Sequence, residues 1–401
     1  MITKIINGCL ITDNQIEKKT LYIKDGLILD ITEQDISADE IIDAENNYVS
    51  PGFIDIHCHG GGGHDFMDGA DAVIETAKTH FKYGTTTIFP TTVACSPEAL
   101  KIALSNIKTA MNESSAADIP HIYGVHLEGP YFALGQAGAQ NPKYITPPVM
   151  KDYIEITELF GDIIKRWSFA PELSGSVEFC EFLTKRDIIS AIAHSDAIYE
   201  DVAKIYDCGC KLVTHLYSGT STVTRKNAYR RLGVIESAFL IDDIAVEVIA
   251  DGHHLPAGLL KLIYKIKGAD NICLVTDAMR GAGMPEGDSF IGAKGEGLPC
   301  IIEDGVAKLP DRSAFAGSIA TADRLIKTMV KGAGIDIKDA VKMLTETPAR
   351  VMNIPNKGIL KKGFDADIII FDRDINIKKV IRNGVLLRVY MPNVKQIEKD
   401  F

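Results

Sequence analysis

Eight short apolar runs alternate with helical stretches across residues 53–276, both chain ends are β-rich, and metal-capable side chains fall at the ends of the apolar runs. Together these features predict an α/β fold, a (β/α)8 TIM-like barrel with a small β-sandwich domain formed by the N- and C-terminal segments. The expected bounds are 1–50 and 350–401 for the two parts of the β domain and 51–349 for the barrel.

Residues 1–50 hold brief β-rich runs such as Leu21-Tyr22-Ile23 and Leu27-Ile28-Leu29, separated by the turn signals Asn7-Gly8 and Asp25-Gly26. Ile368-Ile369-Ile370-Phe371 and Val380-Ile381, followed by Asn383-Gly384, repeat the pattern at the far end. Two similar ends around a different middle imply one β domain built from both. Between them the barrel strands are expected at 53–57, 85–89, 122–127, 167–170, 188–193, 211–214, 245–250 and 272–276.

The first of these, Phe53-Ile54-Asp55-Ile56-His57-Cys58-His59, runs into four glycines, 60–63. Strand side chains alternate faces, so Asp55, His57 and His59 project together and Cys58 points away. The glycines lack the lysine of a phosphate-binding loop and read instead as backbone free to approach a neighbour closely. Glu128 ends the third strand, His194 the fifth, His215 the sixth and Asp277 the eighth. In such a barrel all carboxyl ends open on one face, so residues far apart in sequence converge there.

That set has a defined chemistry. Glu128, His194 and His215 make a three-ligand site open to water. His57, His59 and Asp277, with Glu128 bridging, form a second, giving one or two divalent metals per chain. Zinc fits the nitrogen and oxygen donors, with iron or manganese as alternatives. Asp277 is placed to take a proton from water and return it to a leaving amine. Asp55 either supports the ligands or lines the barrel.

A formal charge of −11 leaves no net positive field for nucleic acid or an anionic membrane surface. The eight cysteines are scattered, as expected of reduced thiols in a cytoplasmic protein, and Cys208-Gly209-Cys210 has no second pair with which to hold a metal. No apolar run is long enough to span a bilayer and no basic leader precedes an apolar core, so a soluble, unexported chain is expected. His64, Asp65, His80 and His121 read as ordinary loop or core residues.

The chain resembles the metal-dependent amidohydrolase superfamily. The matching segments are Pro51-Gly52-Phe53-Ile54-Asp55-Ile56-His57-Cys58-His59-Gly60, His126-Leu127-Glu128-Gly129-Pro130, Ala193-His194-Ser195-Asp196, Thr214-His215-Leu216-Tyr217, Ala250-Asp251-Gly252-His253-His254 and Val275-Thr276-Asp277-Ala278. Within the superfamily the chain is most similar to the branch acting on N-acetylglucosamine 6-phosphate. The resemblance implies hydrolysis of that acetamide to glucosamine 6-phosphate and acetate. Glu128, His194 and His215 would hold the principal metal, and Asp277 would serve as general base and acid.

The substrate contacts match less closely. The branch has Gly-Ala-His-Asn where this chain has Gly138-Ala139-Gln140-Asn141, and Asn-Ala where it has Ser218-Gly219. Gln140 can donate a hydrogen bond but carries no charge. Arg225, Lys226, Arg230 and Arg231 form a basic cluster, from which the resemblance aims Arg225 or Lys226 at the sugar phosphate. It implies a second phosphate contact at His254, a substrate-lining turn at Phe315, Ala316 and Gly317, and a homodimer. Three alternatives stand: the N-acetylgalactosamine 6-phosphate epimer, cyclic-amide hydrolysis or deamination at the same site, and a non-catalytic binding protein. Retention of all six ligands weighs against the last.

Overall fold

The computed structural model describes residues 1–12, 15–113 and 119–387; residues 388–401 of the expected C-terminal β segment lie outside the described residues. Eight parallel strands form the barrel: β1 (Phe53–Cys58), β2 (Thr85–Thr92), β3 (Val125–Glu128), β4 (Ile164–Phe169), β5 (Ile189–Ile192), β6 (Leu212–Val213), β7 (Ala245–Ile249) and β8 (Ile272–Val275). β2 pairs with both β1 and β3, and each later strand pairs with the one before it. The ring draws together where β8 returns to β1. There Asp277 N–H donates to the His57 carbonyl at 2.9 Å and His59 N–H donates to the Ala278 carbonyl at 2.8 Å.

The third strand begins later than its apolar run suggests. His121–Ile122 pairs with β2, but the chain departs from the ladder before β3 starts at Val125. Gly124 sits in that break, where a Cβ would stand 2.2 Å from Lys165 Cγ and 2.9 Å from the Ile163 carbonyl oxygen. Two backbones thus approach where only glycine fits.

Helices α1 (Ala70–Phe81), α2 (Pro97–Glu113), α3 (Met150–Phe160), α4 (Ser176–Thr184), α5 (Tyr199–Asp207), α6 (Val234–Leu240), α7 (Ala257–Lys267) and α8 (Ala322–Lys327) follow the strands in turn. α1 buries Ala72, Val73, Thr76, Ala77, His80 and Phe81, the three-and-four spacing of one helical face. A hairpin, Thr224–Lys226 with Tyr229–Arg231, extends from the β6 side of the mouth. A three-stranded sheet, Gly287–Ile291, Leu298–Glu303 and Val306–Lys308, follows β8.

The chain ends make two further sheets. One holds Leu27–Thr32, Thr20–Lys24, Ile2–Ile6 and Glu40–Asp43; the other joins Ile368–Phe371 and Ile377–Arg382 to Tyr48–Pro51 and Cys9–Ile11. Ile5, Leu21 and Ile23 from the first share one apolar cluster with Leu10, Val49, Ile368, Ile370 and Ile381 from the second. Tyr48–Pro51 leads almost directly into β1, so this sandwich is tied to the strand that carries His57 and His59.

Between barrel and helices the packing is aromatic. Phe179 of α4, fully buried, lies 4.8–5.2 Å from the rings of Tyr131, Tyr153, Trp167 and Phe169. Phe179→Ala should destabilise the metal-free protein by about 3–5 kcal/mol through lost burial and the cavity left behind. Denaturant unfolding followed by Trp167 fluorescence tests this, and a loss below about 1 kcal/mol would mean the cluster readily collapses around the gap.

Candidate metal centre

The strand-end side chains converge on one carboxylate. Glu128, the last residue of β3, places Oε1 2.8 Å from His215 Nε2, 3.3 Å from His194 Nε2 and 3.6 Å from His57 Nε2. Its Oε2 stands 3.2 Å from His59 Nε2. Asp277 Oδ1 completes the group, 3.1 Å from His59 Nε2 and 3.4 Å from His57 Nε2. All six residues are buried, and Asp277 (8%) and His194 (7%) retain the most exposure, which marks their side as the accessible edge.

Backbone geometry turns three of these residues. His194, His215 and Asp277 each lie two positions beyond a strand end and take left-handed φ values of 43°, 26° and 45°. Such a conformation costs a non-glycine residue on the order of 1–3 kcal/mol and persists only where neighbours hold it. Ala133 N–H donates to the His194 carbonyl at 2.9 Å, and Ser318 N–H donates to the Asp277 carbonyl at 2.8 Å. His215 N–H donates to Glu247 Oε2 at 3.3 Å.

Proton placement tests whether this donor set fits a cation. His194 Nδ1 lies 2.7 Å from the Gln136 carbonyl, His59 Nδ1 3.2 Å from the Thr91 carbonyl and His57 Nδ1 3.1 Å from Glu247 Oε2. Carbonyl and carboxylate oxygens only accept, so each Nδ1 carries a proton, and each Nε2, once any proton on it is displaced, presents a lone pair. Those lone pairs face carboxylate oxygens, and those of His57 and His59 face each other at 3.2 Å. Acceptors opposed at this range repel unless they share a cation, so the residues fit a metal.

The electrostatics agree. Burial lowers the His57 pKa, but Glu128, Glu247 and Asp277 outweigh it and raise the value to about 9. His59 likewise rises well above its ordinary value, burial being overcome by Asp277 and Glu128. Burial would raise the Glu128 and Asp277 pKa values, yet the surrounding imidazoles hold both below the ordinary carboxylate range. Glu128, His194 and His215 form one cluster able to hold a metal, and His57, His59 and Glu128 a second that shares the carboxylate.

Asp55 belongs to a different buried group, with Cys58 and His80, whose donor atoms lie within 4.8 Å of one another. It accepts from Thr276 Oγ1 at 2.5 Å and from His57 N–H at 3.3 Å, tying β1 to the end of β8, and burial raises its pKa to about 6. Cys58 faces the helix side and lies 3.2 Å from His80 Nε2. Burial raises its thiol pKa far above the ordinary value, so it offers no thiolate.

The residues expected to meet substrate are more dispersed. Gln140 is buried, and its amide is committed to the centre: Nε2 donates to Glu128 Oε2 at 2.8 Å while Oε1 accepts from Ala94 N–H at 2.8 Å. Gly219 has φ 57°, and a Cβ there would stand 2.9 Å from His194 Nδ1, so the imidazole occupies the space an alanine would need. Ser218 is half-buried beside it. His254 Nδ1 lies 2.8 Å from Asp251 Oδ2, and the His254 ring packs 4.6 Å from that of Phe315, which is partly exposed. Ala139 packs with Ala316 in one apolar cluster, and Gly317 approaches the Asp277 carbonyl so closely that a Cβ would stand at 3.0 Å. Arg225 and Lys226 are exposed on the hairpin, Arg225 paired across from Arg230.

Sequence reading missed Glu247, at the middle of β7, and Arg166, on β4, which form a fully buried ion pair beneath His57. The available signal was a carboxylate inside the apolar run Ala245-Val246-Glu247-Val248-Ile249.

The pattern of the amidohydrolase family matches residues 48–387. A Lysinibacillus sphaericus protein named N-acetylglucosamine-6-phosphate deacetylase is 33% identical over 92% of this chain and 93% of its own. A Haemophilus influenzae protein of the same name is 30% identical over 86% and 87%. The solved structure of a mutant N-acetyl-D-glucosamine-6-phosphate deacetylase from Mycobacterium smegmatis, in complex with N-acetyl-D-glucosamine 6-phosphate, superposes with a TM-score of 0.87 at 25% identity, covering 96% of this chain and 98% of that one.

Protonation and metal binding compete for His57. A folded pKa of about 9 against an unfolded value of 6.5 gives stability that is complete below pH 6.5 and lost as pH rises toward 9. Chelator-treated protein should therefore lose stability over that window, by up to about 1.4 kcal/mol per pH unit for one proton. Zinc affinity should rise over the same range as protons leave the ligands. Thermal unfolding across pH, with and without zinc, checks both trends; a metal-free stability that climbs toward pH 9 would refute the assigned electrostatics.

Proposed function

The chain belongs to the amidohydrolase family, and on that premise we propose that it hydrolyses the acetamide of N-acetylglucosamine 6-phosphate, releasing acetate and glucosamine 6-phosphate. The reading is carried by the Glu128-centred cluster beside an accessible Asp277, in a chain that aligns over more than nine-tenths of its length with a relative bearing that activity's name.

Glu128, His194 and His215 would hold the principal divalent metal and His57 and His59 a second, with zinc the best match to nitrogen and oxygen donors. Such a metal supplies Lewis acidity, polarising a carbonyl and lowering the pKa of water. Asp277 is the proton carrier. Its pKa is held low by His57 and His59 against burial, so it is ionised and ready to accept a proton from attacking water at Oδ1 or Oδ2. Returning that proton to the amine nitrogen makes a leaving group of what would otherwise be an amide anion. Gln140 keeps the Glu128 carboxylate oriented while this occurs.

Substrate charge sets the remaining requirement. An anionic sugar phosphate approaching a chain of net charge −11 needs local positive groups. Arg225 and Lys226 on the hairpin, together with His254 beside Phe315, are assigned to the phosphate. Gly317, Ala316 and Ala139 line the sugar side, and Ser218 and Gly219 the side of His194. We assign the protein to the cytoplasm as a homodimer; no helix among the described residues is long and apolar enough to cross a membrane.

Acetate release from N-acetylglucosamine 6-phosphate, its galactosamine epimer and the unphosphorylated sugar tests the assignment. Fast release from the phosphorylated glucosamine compound is expected, and release of ammonia without acetate would sink it. Asp277→Asn should lower turnover by about two orders of magnitude or more, with metal content measured on the same sample. Unchanged turnover would remove Asp277 from its role. Replacing Arg225 and Lys226 together with Ala should raise KM for the phosphorylated sugar about 10–100-fold, the worth of a lost charge-assisted hydrogen bond or two. An equal rise for the unphosphorylated sugar would refute the phosphate assignment.

A further inference from the structure

Glu247 contributes no atom to the group around Glu128, yet its two oxygens are divided with a purpose. Oε1 takes the ion pair with Arg166. Oε2 lies 3.1 Å from His57 Nδ1 and also accepts the backbone N–H of His215 at 3.3 Å. One carboxylate oxygen thus holds the ring of one candidate ligand and the main chain of another, drawn from the first and sixth strands.

Both charges are fully buried, and a buried pair of this kind is costly to desolvate and often replaceable by apolar residues without loss of stability. Its presence in the barrel interior therefore calls for a reason beyond stability. Arg166 is itself fastened from several sides: it donates to Thr214 Oγ1 at 2.7 Å, to the Ile56 carbonyl at 3.4 Å and to Ser168 Oγ at 3.5 Å. His126, whose ring lies 4.7 Å from that of His57, is directed elsewhere, with its Nε2 2.7 Å from Ser168 Oγ and Nδ1 3.3 Å from Thr91 Oγ1. Glu247 is the carboxylate at His57 Nδ1, at 3.1 Å, while Nε2 faces Asp277 and Glu128 at 3.4 and 3.6 Å.

We infer that Glu247, anchored by Arg166, is the positioning residue of a second metal site: it fixes His57 as the Nδ1–H tautomer and so presents Nε2 to a divalent cation shared with His59 and Glu128. The inference rests on reading these histidines as metal ligands and is independent of which amide the protein hydrolyses. An outer carboxylate on a ligand imidazole also raises its basicity, and removing such a partner typically weakens metal binding about 10–100-fold.

Removing Glu247 alone would strand Arg166, so the variants change both residues. R166M/E247L removes the pair and the acceptor; R166M/E247Q removes the charges but leaves an amide oxygen for the Nδ1–H. Zinc is titrated calorimetrically into the chelator-treated full chain, with no substrate present. Wild type is expected to take up two zinc ions, R166M/E247L to lose about 10–100-fold in the weaker site while the stronger one stays, and R166M/E247Q to recover part of that loss. A single zinc per wild-type chain, unchanged affinities in both variants, or equal losses in both would overturn the inference. Should R166M/E247L fail to fold, nitrogen-15 NMR of histidine-labelled, zinc-loaded wild type decides the matter: protonated Nδ1 and bare Nε2 on His57 are expected, and the reverse tautomer overturns the proposal. Acetate release measured separately shows whether the deacetylase reading stands, whatever the zinc result.

Discussion

A carboxylate buried among imidazole lone pairs is the constraint on which this structure turns. Glu128 has almost no exposure, and its two oxygens meet four histidine nitrogens within 3.6 Å. Taken from water without a counter-charge, such a group would be among the most unfavourable in the protein. Its surroundings are built to supply positive charge, by proton or by metal, and everything nearby serves to hold the donors in place until that charge is shared.

The barrel meets the constraint by dividing the labour between strands and the residues just past them. β1 and β3 deliver His57 and Glu128 from regular backbone, whereas His194, His215 and Asp277 sit beyond their strands in left-handed conformations. Regular strands alone would send successive side chains to alternate faces. The left-handed residues break that alternation and fold three donors back over the mouth. Hydrogen bonds donated by Ala133 and Ser318 to the His194 and Asp277 carbonyls, and by the His215 N–H to Glu247, hold them there, so strain at the rim is balanced by order in the neighbouring loops.

Much of this was legible in the sequence, for a physical reason. Barrel strands are apolar on both faces, so each potential ligand stands out as a polar residue closing an apolar run, and the topology collects those ends without any knowledge of loop paths. The fold class and all six converging residues followed from that single contrast. The supporting residues were harder to see. Arg166 lies just ahead of the run beginning at Trp167, and Glu247 is one polar residue inside a strand, both compatible with a solvated edge until pairing shows them turned inward. Gln140 was read as a substrate contact because the motif around it supplies one in relatives. Its commitment to Glu128 and Ala94 depends on how the loop after β3 folds back, which no local pattern encodes. The break before β3 escaped notice for a similar cause, since Gly124 is excluded from carrying a side chain by Lys165, a residue of the next strand.

Gln140 and Gly219 change what the site asks of its substrate. A histidine at position 140 could offer positive charge to a carbonyl oxygen, whereas the neutral Gln140 amide, with one N–H given to Glu128 and its oxygen to Ala94, has its second N–H to donate but no charge. Gly219, pressed against His194, leaves the neighbouring imidazole room that a larger residue would take. Under the proposed function, carbonyl activation falls to the metal-binding cluster, and discrimination among acetylated sugars to the groups proposed to meet the ring and the phosphate. The residues proposed for the phosphate lie on the hairpin and at the His254–Phe315 ring contact, outside the barrel strands. On that proposal chemistry and specificity are carried by separate parts of the chain: the first by strand ends under strong electrostatic constraint, the second by loops free to differ while the reaction stays the same.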